Sequence, residues 1–360
     1  MKYRKAIVSL IAVLFGLIAG ALLMLATGHN PIQGFSFLIQ GGIKNIERIG
    51  NTIATATPLI LTGLAVAFAF RTGLFNIGAA GQMLMGGFCA SAVGLTVDLP
   101  SILLLPLMLL VGMLGGALFA FIPGLLKAKF NVNEVVSTIM MNWIAYWIVY
   151  YTIPAYFKGN LETESRLLAD NATLRAPWLS NLFNGSFINL GIFVAIIAVI
   201  IVAFILNKTT LGYELKSVGF SRDAAEYAGI SVNKNIILAM MISGALAGLA
   251  GVVHYAGNAN CIQIGVLPTQ GMDGIAVALL GANTPIGALL SALFFGLLYA
   301  GRGFMNAMTK IPPEVADTII ATIIYFAATS VLVERFFDNY KRKKSAKLAV
   351  TESANRKGDN

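Results

Sequence analysis

Five polar or aromatic side chains stand out because they lie in stretches that are otherwise apolar: Asn76, Gln82, Asn142, Trp143 and Asp273. Amides and a carboxylate can hydrogen-bond an uncharged polar solute, and an indole ring can stack on a planar ligand. A carboxylate at membrane depth is costly and usually functional, whereas one at the outer water interface needs no such explanation. For Trp143 the competing explanation is helix packing or interface anchoring. We predict that these residues lie near the route of a small polar solute.

Sequence patterns typical of catalysis are missing. The sequence contains no Gly-Lys dipeptide and therefore no GxxxxGK[ST] phosphate loop, and it has no HExxH, CxxC or GxSxG motif. It holds 2 His and 2 Cys, too few for a histidine metal centre or a disulfide framework. We therefore expect a transport protein rather than an enzyme, with no metal site and no cofactor of its own. If ATP and Mg²⁺ drive transport, they must bind a partner chain.

A charged segment, LGYELKSVGFSRDAAEYAGI at 211–230, separates two runs that are each apolar enough to cross a membrane. Within it, Ser221 can cap a helix, Asp223 would lie in the first turn, and Gly229 can end the helix. The segment therefore predicts a short helix in a polar insert.

The predicted helix brings small and charged residues together. Arg222, Ala225, Glu226 and Gly229 recur at i, i+3, i+4 and i+7, the spacing of one helical face. Such a face suits insertion into a groove on a soluble partner. A solvated loop that only joins two spans is the competing explanation.

The composition indicates a membrane protein. Hydrophobic residues make up 57% of the 360 residues and charged residues only 11%, which excludes an ordinary soluble domain. Length and apolarity predict an all-α polytopic protein with about ten transmembrane segments, of which the third and the eighth are interrupted by Gly and polar residues. The segments are expected near 6–27, 52–70, 75–97, 101–122, 135–153, 187–206, 235–256, 265–282, 286–304 and 314–333.

The first apolar run could also be a cleaved signal peptide, because Ala19-Gly20-Ala21 resembles a cleavage site. The run continues beyond this point and is long enough to span a bilayer. We therefore expect it to be a retained first helix.

Basic residues define the expected orientation. With the N-terminus in the cytoplasm, 18 of the 25 Lys and Arg residues fall on the cytoplasmic side, as the positive-inside rule requires. Both termini are then cytoplasmic, 208–233 is a cytoplasmic insert and 154–186 is an external loop. Residues 1–334 would form the membrane domain, and the basic tail 335–360 is expected to be disordered. Membrane lipid, rather than nucleic acid, accounts for the net charge of +9.

Segments two to five and seven to ten would run in opposite senses, which predicts an inverted repeat, a common architecture of transporters. Each unit contains a glycine-rich stretch, RTGLFNIGAAGQMLMGG at 71–87 and GMDGIAVALLGANTPIG at 271–287. Interrupted helices at corresponding positions point to a binding cavity. Close helix packing through small residues is the competing explanation.

Three stretches carry a resemblance to a known family: GHNPIQGFSFLIQGG at 28–42, the glycine-rich 71–87 and the insert at 211–230. From about 30 to 334 the chain resembles membrane subunits of bacterial ATP-binding-cassette (ABC) importers of the branched-chain amino acid, simple-sugar and nucleoside permease family. The first stretch is most similar to the nucleoside branch, of the guanosine or purine type.

The resemblance implies that 211–230 contacts the ATPase. Lys216 and Ser221 stand where family members often carry Arg and Asn, so the docking role is implied but the individual contacts are not. The residues that the resemblance and the helical face assign to ATPase coupling are Gly212, Lys216, Gly219, Arg222, Ala224, Ala225, Glu226 and Gly229.

The resemblance also implies a cytoplasmic ATPase, a second permease subunit, an extracellular substrate-binding protein and a place in the bacterial cell membrane. The expected function is import of a small polar solute, a nucleoside in this branch, by alternating access. A sibling permease for a simple sugar or a branched-chain amino acid is the first alternative. An ion-coupled secondary transporter, with Asp273 or His254 as the coupling group, is the second. An integral membrane enzyme is disfavoured because no catalytic set converges.

Overall fold

The computed structural model describes residues 2–328. The predicted tail 335–360 and positions 329–333 of the tenth segment lie outside the described residues. Within 2–328 the chain is helical, with isolated bridges in place of strands. The α-helices are α1 (Lys2–Ala26), α2 (Pro31–Ile43), α3 (Ile46–Arg71), α4 (Ala79–Thr96), α5 (Ser101–Phe130), α6 (Glu134–Tyr156), α7 (Pro177–Leu182), α8 (Gly191–Lys208), α9 (Thr210–Phe220), α10 (Arg222–Tyr227), α11 (Val232–Val252), α12 (Thr269–Leu280), α13 (Pro285–Thr309) and α14 (Pro313–Ala328). A 3₁₀ turn (Asp170–Ala172) precedes α7, and a π-helix (Val253–Ala259) continues α11.

Five helical stretches in the described part of the chain are long and apolar enough to cross a membrane. They are α3, α5, α8, α11 with its π-helical extension, and α13. The other predicted segments coincide with α1, α4, α6, α12 and α14. The prediction of an all-helical, multi-pass membrane protein is confirmed. The number of ten crossings and the orientation of the termini stay predictions.

The eighth predicted segment, 265–282, is only partly helical. Its helix, α12, has 12 residues and a length of about 18 Å, short of the roughly 30 Å of a hydrocarbon core. Gly265 has a φ of +79°, and Pro268 holds the extended N-cap position of α12. Because of these two residues the helix begins only at Thr269, four residues after the predicted start of the segment. Apolarity alone does not predict this start.

Helix α3 lies at the centre of the bundle. Of its apolar stretch 83% is buried, against 33% for α5 and 33% for α8. It packs against α11, α12 and α13. Among the five long apolar stretches of residues 2–328, α3 is therefore the most buried, and the predicted route residues Asn76 and Gln82 follow it along the chain.

Glycines of the two glycine-rich stretches lie where helices touch. A Cβ atom on Gly86 would lie 2.3 Å from the Cα of Gly248, and one on Gly271 would lie 2.3 Å from the Cα of Ala80. Distances this short leave no room for a side chain, so the helices meet through their backbones. At these positions the structure shows close packing, the competing explanation for the glycines.

The polar insert lies at one end of the bundle, which we call the Arg71 end. The Arg71 Nε donates a hydrogen bond to the carbonyl of Asn283 over 2.8 Å. A Cβ on Gly219 would lie 2.3 Å from the Arg71 carbonyl oxygen. The end of α3, the end of α9 and the turn between α12 and α13 therefore meet there.

The opposite end is held by Arg175. Its guanidinium donates to the carbonyls of Gly257, at 2.9 Å, and Asn258, at 2.6 Å. Both carbonyls belong to the π-helix, whose last turn would otherwise leave them without partners.

Candidate functional site

The short helix predicted in the insert is present as α10. The Ser221 side chain accepts a hydrogen bond from the Ala224 N–H over 3.3 Å and caps the start. At the other end, Gly229 has a φ of +80°. Its N–H donates to the Glu226 carbonyl at 2.9 Å, and the Ile230 N–H donates to the Ala225 carbonyl at 3.0 Å. This pair of bonds is the Schellman arrangement, so both predicted end signals work as expected.

A second helix in the insert, α9, escaped sequence analysis. Its N-cap is Thr209, whose side chain accepts from the Gly212 N–H over 3.1 Å. The Thr209-Thr210 pair, two residues after the apolar run that ends at Leu206, was the signal that could have revealed it. The insert is therefore a pair of helices rather than one helix in a loop.

The packing of α10 buries one residue of the predicted docking face and leaves the others at least partly exposed. Ala225 is 3% exposed and lies in the hydrophobic core, so no other protein can contact its side chain. Arg222 is partly exposed, and Ala224, Glu226 and Gly229 are exposed. The surface that α9 and α10 offer to a partner thus contains most of the predicted face but not its centre.

Exposed aromatic side chains form the rest of that surface. Phe220 and Tyr227 are each 97% exposed, and Tyr213 is 71% exposed. The sequence reasoning missed them because they do not lie on the small-and-charged face. Exposed apolar surface on a polar insert is a place where a partner protein can bind.

Three of the predicted coupling residues attach the insert to its own bundle. A Cβ on Gly212 would lie 2.1 Å from the Ile205 carbonyl oxygen, so α9 packs on α8 without a side chain between them. Gly219 meets the end of α3 in the same way. The Lys216 Nζ donates to the carbonyl of Leu206 and, over 3.3 Å, to the Asn207 Oδ1. Burial lowers the pKa of Lys216, and the nearby charge of Arg71 lowers it further.

A groove of about 790 Å³ runs beside α10. Its lining residues include Arg222, Glu226 and Gly229 from the insert, with Lys127 from α5 and Lys234 from α11. Charged groups of both signs therefore face an open space at the Arg71 end.

One ion pair links this groove to α6. Lys127 and Glu134 are 2.9 Å apart, and their side chains are only 12% and 16% exposed. The positive charge of Arg222 also acts on the Glu134 carboxylate. Because Glu134 is the first residue of α6, the insert lies in electrostatic contact with that helix.

Asn76 and Gln82 form a closed amide pair inside the bundle, and both are 0% exposed. The Asn76 Nδ2 donates to the Gln82 Oε1 at 2.8 Å, and the Gln82 Nε2 donates to the Asn76 Oδ1 at 3.1 Å. The Asn76 Nδ2 also donates to the Ser243 Oγ at 2.8 Å. These amides satisfy one another and tie the turn before α4 to α11. Ser243, an isolated polar residue in an apolar helix, was the signal for this third partner.

Asn142 extends the network to α6. Its Oδ1 accepts from the Gly81 N–H at 2.8 Å, and its Nδ2 donates to the Ile77 carbonyl at 3.1 Å. Asn142 is 2% exposed. The first turn of α4 is therefore held by Asn76 from the turn before it and by Asn142 from α6.

Helices α6 and α12 flank that first turn of α4. The ideal Cβ position of Gly81 lies 2.8 Å from the Cα of Asn142, and that of Gly271 lies 2.3 Å from the Cα of Ala80. Since Ala80 and Gly81 are consecutive, Asn142 and Gly271 lie at the same depth. The structure thus brings Asn76, Gln82 and Asn142 together at one turn, while Trp143 follows Asn142 on α6 and Asp273 lies two residues after Gly271 on α12.

Trp143 and Asp273 occupy the outer side of this arrangement. Trp143 is 52% exposed and packs edge-on against Tyr146, with ring centroids 5.6 Å apart. Asp273 is partly exposed, and Tyr299 of α13 lies close to its carboxylate. Of the predicted set, these two side chains have exposed surface, whereas the three amides are enclosed.

The partner of Asp273 fixes its depth. Tyr299 lies on α13 about 21 Å from Pro285 and about 15 Å from Thr309, at the usual rise per residue. Asp273 therefore lies beside the middle of α13. Tyr299 was missed by sequence analysis, since a tyrosine in an apolar helix is commonly a packing residue.

Comparison with known proteins gives the family. The model of the branched-chain amino acid transport system / permease component family matches residues 48–328. The nucleoside ABC transporter permease protein NupB of Lactococcus lactis subsp. cremoris (strain MG1363) is 41% identical over 99% of this chain and 99% of its own. The guanosine ABC transporter permease protein NupP of Bacillus subtilis (strain 168) is 46% identical over 95% of this chain and 98% of its own.

A more distant relative occurs in the second of these organisms. The guanosine ABC transporter permease protein NupQ of Bacillus subtilis (strain 168) is 32% identical over 68% of this chain and 78% of its own. Because the family model covers most of the chain and NupB and NupP match it almost from end to end, the chain belongs to the family of permease components of branched-chain amino acid transport systems.

Proposed function

We propose that the chain is the membrane-spanning subunit of an ABC importer that carries nucleosides, and that it performs no chemical step itself. The printed functions of NupB and NupP, nucleoside and guanosine permease proteins, support the substrate class. ATP and Mg²⁺ would bind a separate ATPase, since this sequence has no phosphate loop.

The observation that carries the coupling role is the insert at the Arg71 end. Its two helices are fixed to the bundle through Gly212 and Gly219, while Phe220 and Tyr227 are each 97% exposed. An insert that is fixed to the bundle and exposes aromatic side chains suits helix-in-groove docking. The ATPase binds this surface, which makes the Arg71 end and both termini cytoplasmic.

The comparison with NupP and NupQ also supports a further partner. NupP and NupQ of one organism are both named guanosine permease proteins, and both are similar to this chain. We therefore pair this chain with a second, related permease subunit. An extracellular substrate-binding protein delivers the nucleoside, and the complex lies in the bacterial cell membrane among its lipids.

Ten crossings complete the proposed architecture, with segments two to five and seven to ten as an inverted repeat. The membrane domain comprises 1–334, with the coupling insert at 208–233, the external loop at 154–186 and a cytoplasmic tail at 335–360. Helix α12 accounts for only part of the eighth crossing.

Transmission would run through the charge contact between the insert and α6. ATP binding moves the ATPase, and α10 moves with it. Arg222 acts on Glu134 at the start of α6, and Asn142 on that helix holds Gly81 of α4. A two-state displacement of α10 can thus bias the helices around the route.

Uptake of guanosine into proteoliposomes tests this function. The vesicles contain this chain with its second permease and its ATPase, and the binding protein is supplied outside. We expect uptake that requires ATP inside and is unaffected when proton and sodium gradients are abolished. Uptake by this chain alone, driven by either gradient, would instead identify a secondary transporter. Binding of glucose or leucine, but not guanosine, by the cognate binding protein would identify a sibling importer.

A further inference from the structure

The end of α11 opposite the insert is a π-helix, Val253–Ala259, and side chains from outside α11 hold it. The Arg175 guanidinium donates to the Gly257 carbonyl at 2.9 Å and to the Asn258 carbonyl at 2.6 Å. The Asn189 Nδ2 donates to the Asn258 Oδ1 at 2.7 Å. We call these three hydrogen bonds the Arg175 clasp. Because the last carbonyls of a helix lack partners within it, the clasp stabilises this end of α11 in its π form.

The same residues have a second form, the α-helix, in which each N–H bonds to the carbonyl four residues back instead of five. One buried atom is unsatisfied in the π form: the Nδ1 of His254 has no hydrogen-bond partner among the described residues. An unsatisfied buried atom of this kind destabilises the form that contains it. Rewinding these seven residues would also turn Tyr255, which packs against α4, about the helix axis. The clasp therefore holds α11 in one of two forms.

Helix α11 connects this end with the amide pair and with the insert. Along its length, the Ser243 Oγ accepts a hydrogen bond from the Asn76 Nδ2 at 2.8 Å. Near its start, the Asn235 Nδ2 donates to the Glu214 Oε2 of α9 at 2.9 Å. A change at the π-helix can therefore reach both the buried amides and the insert through contacts of a single helix.

The external loop that supplies Arg175 is also bonded to the segment after the π-helix. The Leu168 N–H donates to the Asn260 carbonyl at 3.1 Å. The Ile264 N–H donates to the Thr163 carbonyl at 2.8 Å. A protein that displaces this loop from outside would therefore act on the end of α11.

These contacts give Arg175 a role in regulation. We propose that docking of the loaded binding protein opens the Arg175 clasp, that the π-helix then rewinds, and that α11 transmits the change to the insert and the ATPase. Arg175 is then a positioning residue that acts through α11. The proposal rests on the proposed function, because it needs the binding protein and the ATPase as partners.

ATP hydrolysis by the complete complex in lipid nanodiscs tests the proposal, since both faces of the membrane are then accessible. The rate is measured with and without guanosine-loaded binding protein, and the ratio of the two is the stimulation. Arg175→Ala removes two bonds of the clasp. We expect the rate without binding protein to rise toward the stimulated rate, so that the stimulation falls about tenfold, as for the loss of one hydrogen bond from a charged donor. Arg175→Lys keeps a charged donor and should restore part of the stimulation.

Arg166→Ala is the matched control. Arg166 is an exposed arginine of the same loop, and its side chain forms no hydrogen bond within the part of the chain that the structure describes. The stimulation should keep its wild-type value in this variant. Adding Asn235→Leu to Arg175→Ala breaks the contact between α11 and α9 and should bring the raised rate back down. If the rate stays raised, α11 is not the path and the proposal is wrong.

Hydrogen exchange on the wild-type complex gives a test that needs no variant. The buried Leu174 N–H donates to the Ala256 carbonyl of the π-helix at 2.9 Å, and rewinding would break this bond. We expect the Leu174 amide proton to exchange severalfold faster when loaded binding protein is added. Exchange at the same or a slower rate would overturn the proposal, also where Arg175→Ala fails to assemble.

The remaining outcomes separate the two hypotheses. Wild-type stimulation in Arg175→Ala would overturn the proposal. Lost stimulation with an unchanged rate in the absence of binding protein would make the loop a docking surface only, and would overturn it as well. A wild-type complex without ATP-dependent guanosine uptake would instead refute the proposed function itself.

Discussion

The Asn142 Oδ1 accepts a hydrogen bond from the Gly81 N–H over 2.8 Å, although the two residues lie 61 positions apart. The same side chain donates to the Ile77 carbonyl on the preceding turn. One amide therefore fixes α6 to both sides of the start of α4. Because α6 begins at Glu134, whose carboxylate is affected by the charge of Arg222, one helix connects the insert with the buried amides at the start of α4.

Replacing the Asn142 side chain should weaken the contact between α6 and the start of α4. Asn142→Leu leaves the Gly81 N–H and the Ile77 carbonyl buried without their side-chain partner, at a cost of about 1–3 kcal/mol for each group. We expect a melting temperature several degrees lower in detergent, together with reduced nucleoside uptake. Asn181→Leu, at an exposed position in the loop helix α7, is the control and should melt like the wild type. A wild-type melting temperature for Asn142→Leu would show that the two hydrogen bonds of Asn142 do not stabilise the protein.

Gly229 allows docking to be tested apart from folding. A Cβ at this position would meet nothing within 4 Å, and its φ is +80°. Gly229→Leu thus adds bulk on the partner side, with backbone strain of about 1–2 kcal/mol. We expect the permease to purify normally and the ATPase to be lost from the complex.

The matched control is Gly185→Leu. Gly185 has a φ of +83° and nothing within 4 Å of its Cβ position, and it lies in the external loop region. It reproduces the strain without touching the insert, so the ATPase should be retained. A full complement of ATPase with Gly229→Leu would contradict the docking assignment.

The exposed aromatics should contribute most of the docking affinity. Phe220→Ser and Tyr227→Ser each remove a ring that is 97% exposed in this chain, so the fold loses little. Aromatic anchors commonly account for more than 1 kcal/mol of binding, and we expect ATPase affinity to fall about tenfold for each. Tyr156→Ser, which is 74% exposed at the other end of α6, serves as the comparison. Equal affinities for all three variants would remove the aromatics from the docking surface.

Glu134 should govern how efficiently ATP hydrolysis produces transport. Glu134→Gln removes the charge that pairs with Lys127 over 2.9 Å and that Arg222 attracts. We expect ATP hydrolysis to continue while the nucleoside imported per ATP falls severalfold. Glu162→Gln breaks an exposed ion pair with Lys158 in the external loop and should leave that stoichiometry intact. An unchanged stoichiometry in Glu134→Gln would show that the insert signals by another path.

Thiol labelling should distinguish the outer from the enclosed route residues. In a background without Cys89 and Cys261, Trp143→Cys should react with a water-soluble thiol reagent, and guanosine should slow the reaction. Gln82→Cys should stay unreactive in the same state, because Gln82 is 0% exposed. Strong labelling of Gln82→Cys with none of Trp143→Cys would contradict this prediction, because it would make Gln82 the accessible residue and Trp143 the enclosed one.

Local signals were readable from the sequence, whereas partners across the fold were not. Ser221 and Gly229 define α10 because capping depends on residues within one turn. The same kind of reasoning picked out Asn76 as polar in an apolar stretch. Whether such an amide faces a solute or another amide depends on Ser243, which lies 167 positions away. Likewise Ala225 fits an exposed face by its spacing, but its side chain is only 3% exposed because it packs into the hydrophobic core.

The short helix α12 has a consequence for how the protein is made. A stretch of about 18 Å cannot be recognised as a complete span when it leaves the ribosome. Its turn into α13 is tight, with positive φ at Ala282 and Asn283 and a Thr284 side chain that caps the next helix. We therefore expect the two helices to enter the bilayer together as a hairpin. On this expectation, α12 with its Asp273 stays outside the membrane until α13 has been synthesised.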